Sequence, residues 1–368
     1  MVGYRILWYN WRCWVNPEMG GAEVFTREVA RRLVGAGHEV TLFTSEFPGC
    51  KREEVLDGVR VVRAGGRYLV YWRAREYYRR RFFGECYDLV VDEVNTVPFF
   101  APRFVRNGEK VVALIHQLAR EFWFYETPFP LSLLGYYFLE GWWLRGYVDV
   151  PTVTVSESSR RDLLRLGFRK VFVVSEGLSF EGLDHLPEKE GFPVVIFVGR
   201  LKRVKRPWHA LEAFRLVRRR FFPRAELWVV GDGYLRKKLE RLVFDGVRFF
   251  GRVSEAEKRD LLRRAWVLVH PGVREGWGLN VLEAAAYGTP TVAYNVAGLC
   301  DSVRDGETGF LARNGDVKDL AGKIIRVLGD ETLRERLSRN CLKYAKRFSW
   351  DRTAKEFLRV LRLVMDEG

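Results

Sequence analysis

The sequence predicts an α/β protein of two doubly wound domains, each built on a parallel sheet. Three observations carry this. Short apolar runs such as Arg5-Ile6-Leu7-Trp8-Tyr9 and Val194-Val195-Ile196-Phe197-Val198 recur, each followed by a turn and a helical pattern. At 368 residues the chain is long for one core and natural for two. The texture changes once, over the polar stretch Glu176 to Gly191, which holds Gly177, Gly182 and Pro187. The expected organisation is a first domain over 1–175, a linker over 176–191, a second domain over 192–345 and a C-terminal helix over 346–368.

In the first domain, the opening strand leads through Pro17 to Gly20-Gly21. A helix follows, with Ala22, Phe25, Val29 and Leu33 on one face, and Gly35 and Gly37 end it. Gly20-Gly21 therefore sits at a helix N-terminus, where backbone can approach a phosphate or a sugar; a plain turn is the competing reading. His38 to Thr44, Val59 to Val62, Asp88 to Val91 and Lys110 to Ile115 read as further strands, and Val70 to Phe83 as an Arg-rich helix with a solvated face. His116 falls just beyond a strand, at the edge where parallel sheets bind ligands. Glu121 to Tyr147 holds eleven aromatic residues, which suits core packing, an acceptor groove or a membrane surface. Thr152 to Val155 and Val171 to Val174 are the last strands here, and Ser156 caps the helix Glu157 to Leu166.

The second domain repeats the alternation. Val194 to Val198 ends in Gly199-Arg200, with Lys205 close behind and Pro207 at a helix start. Arg200 and Lys205 at a strand end can balance a diphosphate. Glu226 to Val230 leads to Gly231-Asp232-Gly233, which lacks the third glycine of a dinucleotide fingerprint. Val247 to Gly251 and Thr291 to Tyr294 are strands, and a helical tail runs from Val317 to Met365.

The most informative stretch is Val269 to Ala286. A strand runs into a loop with Arg274, Glu275, Gly276, Trp277 and Gly278, and a helix begins at Leu279. Unpartnered amides and the helix dipole favour an anion there. Glu275 and Glu283, about two turns into the helix, bracket the site with acceptors for hydroxyls. A ligand with both phosphates and hydroxyls, such as a sugar nucleotide, suits this pattern.

Composition narrows the classes. Hydrophobic residues make up 48% and charged ones 30%, which indicates a soluble globular protein. No signal peptide and no apolar run of membrane-spanning length is visible, so a cytoplasmic location is expected, with the inner face of the cell membrane as a second possibility. Five scattered cysteines and five scattered histidines offer neither a disulfide framework nor a metal site. The net charge of +15 is divided as +5 up to Ser175 and +10 beyond, so it attracts anions without forming a basic tail.

Several segments then occur in one order: Gly20-Gly21-Ala22-Glu23, Gly199-Arg200-Leu201 with Lys205, and Val230-Gly231-Asp232-Gly233. Next come Glu275-Gly276-Trp277-Gly278-Leu279 through Glu283, Gly288-Thr289-Pro290, and Asp305-Gly306-Glu307-Thr308-Gly309. In this the chain resembles the retaining glycosyltransferases of family 4, of GT-B fold. The resemblance implies two Rossmann-like domains with parallel sheets facing a central cleft, and a C-terminal helix packing back on the N-terminal domain. It implies a hexose donor on UDP or GDP and no cofactor or metal. Arg200 and Lys205 would bind the diphosphate, Glu275 the sugar hydroxyls and Glu283 the ribose. Backbone at Gly276, Trp277, Gly278 and Leu279 would hold phosphate or sugar oxygens. Gly20 and Gly21 would close on the donor, and His116 resembles a histidine that contacts the donor sugar. The partners expected are a nucleotide sugar and a glycan or lipid-linked acceptor, with membrane contact through 121–147. Two positions depart from the pattern: Arg206 stands where glycine is common, and Glu176-Gly177 where Asn-Gly is typical. Neither falls in the core pattern.

No Asp-x-Asp occurs in the chain, which argues against metal-dependent single-domain transferases. A GT-B sugar-nucleotide epimerase is the nearest rival. A glycan phosphorylase is disfavoured by length and by the lack of a pyridoxal-binding lysine motif. A nucleic-acid binder is disfavoured by dispersed charge, and no Walker A loop is present.

Overall fold

The computed structural model describes residues 3–180 and 182–367. Met1, Val2, Glu181 and Gly368, at the edges of the expected domains and within the expected linker, lie outside the described residues. The chain forms two compact units. The first takes the chain up to Trp123, Phe129–Gly177, and everything from Ser349 onward; the second takes Phe124–Pro128 and Leu178–Phe348.

The first unit is an eight-stranded sheet. Its strands are β1 (Arg5–Tyr9), β2 (Glu39–Thr44), β3 (Glu53–Leu56), β4 (Val59–Arg63), β5 (Leu89–Glu93), β6 (Lys110–Leu114), β7 (Thr152–Thr154) and β8 (Val171–Val173). They lie in the order β3-β4-β2-β1-β5-β6-β7-β8, all parallel except β3 against β4. β3 carries no apolar alternation in EEVL and has no buried position, so hydrophobic patterning does not reveal it. The chain order reverses between β1 and β5, the place where open parallel sheets leave a crevice.

The helical tail is three helices, not one: Val317–Gly329, Glu331–Ala345 and Trp350–Asp366. Asp330 and Ser349 interrupt it, and each side chain accepts from the backbone N–H three residues on. The last helix belongs to the first unit. Phe357 stacks on Trp8 of β1 at 5.3 Å, and Asp351 pairs with Arg32 at 2.6 Å.

The expected helix over 70–83 forms as Val70–Tyr77, continued by a wider π turn, Tyr78–Phe82. Three of its five arginines meet acids: Arg73 and Arg80 meet Glu76, and Arg81 meets Glu53 and Glu85. The aromatic stretch is divided between two environments. Tyr147 is buried and donates to Asp92, and Trp123 packs beside Trp143. Leu131, Leu134, Phe138 and Trp142 recur at helical spacing and are exposed, with Phe129 and Tyr137 beside them. The one carboxylate between Pro128 and Tyr147, Glu140, is buried and accepts from the amides of Ala119 and Arg120 at 2.5 and 2.9 Å. This segment turns its charge inward and its apolar face outward.

The second unit is a six-stranded parallel sheet of β9 (Val194–Val198), β10 (Glu226–Val230), β11 (Val247–Gly251), β12 (Val267–His270), β13 (Thr291–Tyr294) and β14 (Gly309–Ala312). The order is β11-β10-β9-β12-β13-β14, which reverses between β9 and β12. Both faces are covered by apolar clusters, one including Phe214, Leu320 and Ile324 and one including Leu262, Val281 and Val303. Such two-sided burial explains why these strands read as continuous apolar runs.

Candidate active site

In the second unit the key side chains meet at the β9/β12 reversal. Loop 199–206 follows β9 and loop 271–278 follows β12, and the two are tied by Val273 N–H to the Val204 carbonyl at 2.9 Å. This brings Lys205 Nζ against Glu275 Oε1. His270, the last residue of β12, stands 3.6 Å from the same carboxylate oxygen. Burial works against the charge on Glu275, but Lys205, His270 and Arg200 outweigh it and hold its pKa below the ordinary range. Burial, opposed by Glu275 and reinforced by Lys205, lowers His270 to about 4, so its ring is neutral at physiological pH. Arg200 is exposed.

The loop geometry follows from glycine at two places. Gly278 has φ +98° and forms the N-terminal boundary of the helix Leu279–Ala286. Gly298, at φ +81°, lies so close to the Glu275 carbonyl that a Cβ would sit 2.2 Å from that oxygen. The Glu275 N–H in turn donates to the Ala297 carbonyl at 3.0 Å. Asn280, in the helix's first turn, donates to the Val198 carbonyl at 2.8 Å and pins the helix to the end of β9. Gly276 and Leu279 lie in this turn, while Trp277 is buried against Phe348 at 5.4 Å. Trp277 therefore contributes backbone to the loop and its ring to the core. Glu283 lies further along the helix and accepts from Lys258 at 2.9 Å. Its burial raises its pKa, with Lys258 pulling the other way.

Arg206 occupies a left-handed conformation, φ +45° and ψ +50°. That conformation accounts for the frequency of glycine at this position in the family pattern. Arg206 is held there by hydrogen bonds to Tyr125 at 2.6 Å and Asn314 at 2.7 Å, and by the Tyr125 ring 5.2 Å away.

In the first unit a second cluster forms at the β1/β5 reversal. Glu23 reaches back to the Gly20 N–H at 2.5 Å and accepts from Arg12 at 3.1 Å. The fourth residue of Gly-Gly-Ala-Glu thus shapes the glycine turn at the start of the helix Gly21–Gly35. Glu93, the last residue of β5, is fully buried. It accepts from Trp8 Nε1 at 2.8 Å and Thr26 Oγ1 at 2.6 Å, and meets His116 Nε2 at 3.3 Å. The Nδ1 of His116 faces Glu176 at 3.6 Å. Burial opposes charge on His116, but Glu176 and Glu93 together raise its pKa to about 9. The Glu176 departure therefore does touch the core pattern, and Glu176 works with His116 instead of serving as linker.

Sequence reasoning missed Glu93, Glu176, His270 and Lys258. The signal for Glu93 was present: adjacent carboxylates, Asp92 and Glu93, end a fully buried strand, and buried acids need partners. Among the described residues no three metal-ligating side chains converge on a point; Glu93 and Glu176 lie on opposite nitrogens of one ring.

Two doubly wound units, one presenting a lysine–carboxylate pair beside a helix N-terminus, define a two-domain α/β protein with a candidate ligand site at a reversal of strand order. Comparison with known proteins agrees. The description Glycosyltransferase Family 4 matches residues 19–181, and Glycosyl transferases group 1 matches residues 183–344. Together they take in most of the chain, and the chain belongs to this family of glycosyltransferases. A phosphatidyl-myo-inositol mannosyltransferase of Mycobacterium leprae is 29% identical over 227 residues, 60% of either chain. The chain thus spans less than two thirds of that relative's length. Among solved structures, sucrose-phosphate synthase from Thermosynechococcus elongatus superposes with a TM-score of 0.83 over 99% of this chain and 100% of its own, at 21% identity. Anabaena HepE in complex with UDP and glucose gives 0.70 over 98% and 99%, at 17% identity. The fold is GT-B.

Proposed function

We propose that this protein is a retaining, metal-independent hexosyltransferase that moves a sugar from a UDP- or GDP-hexose to a glycan or lipid-linked acceptor. The observation that carries this is the Lys205–Glu275 pair at the β9/β12 reversal, one turn from the helix that carries Glu283. Cleaving a sugar from a diphosphate develops negative charge on the leaving oxygen. Lys205, Arg200 and the amides of Gly276 to Leu279 stabilise that charge. The incoming diphosphate competes with Glu275 for Lys205, and the freed carboxylate accepts hydrogen bonds from the sugar hydroxyls. Glu283 takes the ribose hydroxyls. The first unit's own candidates for donor contact are His116, Gly20 and Gly21. A same-face attack by the acceptor fits the lack of an evident carboxylate nucleophile. The metal-independent form rests on the absence of Asp-x-Asp. The HepE complex with UDP and glucose supports a UDP-hexose as the first donor to test. Isothermal titration of UDP-glucose and GDP-mannose, with and without a chelator, tests donor and metal together. Binding that survives chelation is expected; binding lost on chelation contradicts the metal claim. An epimerised donor with no transfer to acceptor points instead to an epimerase.

The lipid-linked acceptor and a place at the inner face of the membrane rest on the outward stripe Leu131, Leu134, Phe138 and Trp142. Phe129 and Tyr137 flank it, and exposed Arg145 follows it. No helix among the described residues is long and apolar enough to cross a membrane, so contact is with the bilayer surface. The named acceptor of the Mycobacterium leprae relative, a phosphatidyl-inositol, is of this lipid-linked class. Flotation with phosphatidylglycerol vesicles is expected for the wild type and lost in Phe138→Ser/Trp142→Ser. Equal flotation of both proteins contradicts contact through this stripe, and flotation of neither contradicts the membrane contact.

A further inference from the structure

The imidazole of His116 is enclosed by two carboxylates that come from separate strands. Glu93 ends β5 and lies 3.3 Å from Nε2; Glu176 follows β8 and lies 3.6 Å from Nδ1. All three side chains are buried. Among the described residues, the neighbours that other elements bring to the ring and to Glu93 are uncharged side chains. The helix Gly21–Gly35 presents the edge of Phe25, at 5.1 Å between ring centroids, and Thr26, which donates to Glu93. β1 gives Trp8, also a donor to Glu93. The helix Glu157–Arg165 gives Ser159, which donates to the His116 carbonyl at 3.1 Å.

Glu176 is placed by the chain on both sides of it. The Ser175 carbonyl accepts from Thr353 of the last helix at 2.8 Å. Gly177 lies against that helix's first turn, where a Cβ would come within 2.4 Å of the Trp350 nitrogen. Two carboxylates in one dry site repel, and a proton on the ring between them relieves both. An Asn at 176, the residue typical of the family pattern, would supply no such charge.

We propose that Glu176 is a positioning residue: with Glu93 it grips His116 from both ring nitrogens and holds it as a fixed, buried imidazolium. Burial weighs against this charge, and the two carboxylates override it, which places the ring's pKa at about 9. Nδ1 is itself buried, with Glu176 facing it at 3.6 Å, so Glu176 holds the ring mainly through its charge. The positive charge fixed there favours an anionic oxygen of the donor. That last step rests on the proposed donor role of His116; the grip itself does not.

The test is a side-chain NMR titration of the full-length, 15N-histidine-labelled protein without ligand. His116→Asn assigns the resonance among the five histidines. In the wild type His116 is expected to titrate well above the other four. In Glu176→Gln and Glu176→Asn its midpoint is expected to fall by at least one pH unit, a tenfold change in its protonation constant, while the remaining spectrum stays dispersed. An unchanged His116 midpoint in both variants overturns the proposal. Nucleotide release from UDP-glucose provides a separate arm. The alkaline limb of its pH profile is expected to move down with the NMR midpoint in Glu176→Gln. A shifted NMR midpoint with an unmoved pH profile keeps the grip and removes the donor role of His116.

Discussion

A buried carboxylate such as Glu275 persists in an apolar loop only beside a cation. Lys205 is that cation, with neutral His270 behind it. Glu275→Ala is expected to abolish transfer, a loss of at least ~10²-fold, with an unchanged circular dichroism spectrum. Glu283→Ala is expected to weaken donor binding about tenfold, read by titration calorimetry, since the proposed charge-assisted contact to the ribose is removed. Wild-type turnover in both variants would refute these assignments. His116 carries a pH signature. A histidine in the unfolded chain titrates near ~6.5, whereas folded His116 titrates at about 9. The fold binds that proton more tightly, so its stabilisation is complete below ~6.5 and is lost as pH rises through about 9. Urea midpoints should therefore fall between pH 6.5 and pH 9.5 by more in wild type than in Glu176→Gln; parallel curves would contradict this. Much of the candidate site was legible at this scale. Lys205, Glu275 and Glu283 sit in a dense local pattern of glycine, charge and helix start. Glu93 and Glu176 were not legible as a pair, because they are 83 residues apart and only strand order brings both to His116.

Elements decide how well those residues are aimed. Loop 271–278 is held against loop 199–206 by backbone hydrogen bonding and against Gly298 by direct backbone contact. Gly298→Ala adds a Cβ at positive φ and places it 2.2 Å from the Glu275 carbonyl oxygen. The expected cost is about 2 kcal/mol or more. Thermal unfolding should show a lowered midpoint, and activity should fall as Glu275 is displaced; a variant with wild-type midpoint and turnover would contradict the contact. Strands buried on both faces announced themselves as apolar runs, which is why nearly all of both sheets was readable. β3 was not, because a four-residue edge strand, two glutamates followed by two apolar residues with none buried, has no apolar period. The aromatic stretch misleads for the opposite reason. Its hydrophobicity resembles core, yet its helical stripe faces out while Glu140 faces in, and composition cannot tell the two faces apart.

At the scale of the molecule, each unit carries its candidate site residues near a reversal of strand order. His116 and the Gly20-Gly21 turn stand at one, and Lys205 and Glu275 at the other. The excess of positive charge over both halves of the chain suits a polyanionic donor and an acidic bilayer alike. The two-domain fold was legible from alternation and length, whereas the hexose and the acceptor depend on pocket shape that no motif records. The central claim is that a nucleotide sugar is cleaved at the Lys205–Glu275 pair. The most direct measurement is release of nucleoside diphosphate from a panel of UDP- and GDP-hexoses by wild type and Glu275→Ala side by side. The expected result is turnover of at least one donor by the wild type and none of it by Glu275→Ala. Equal release by both proteins, or no donor cleaved by either, would contradict it.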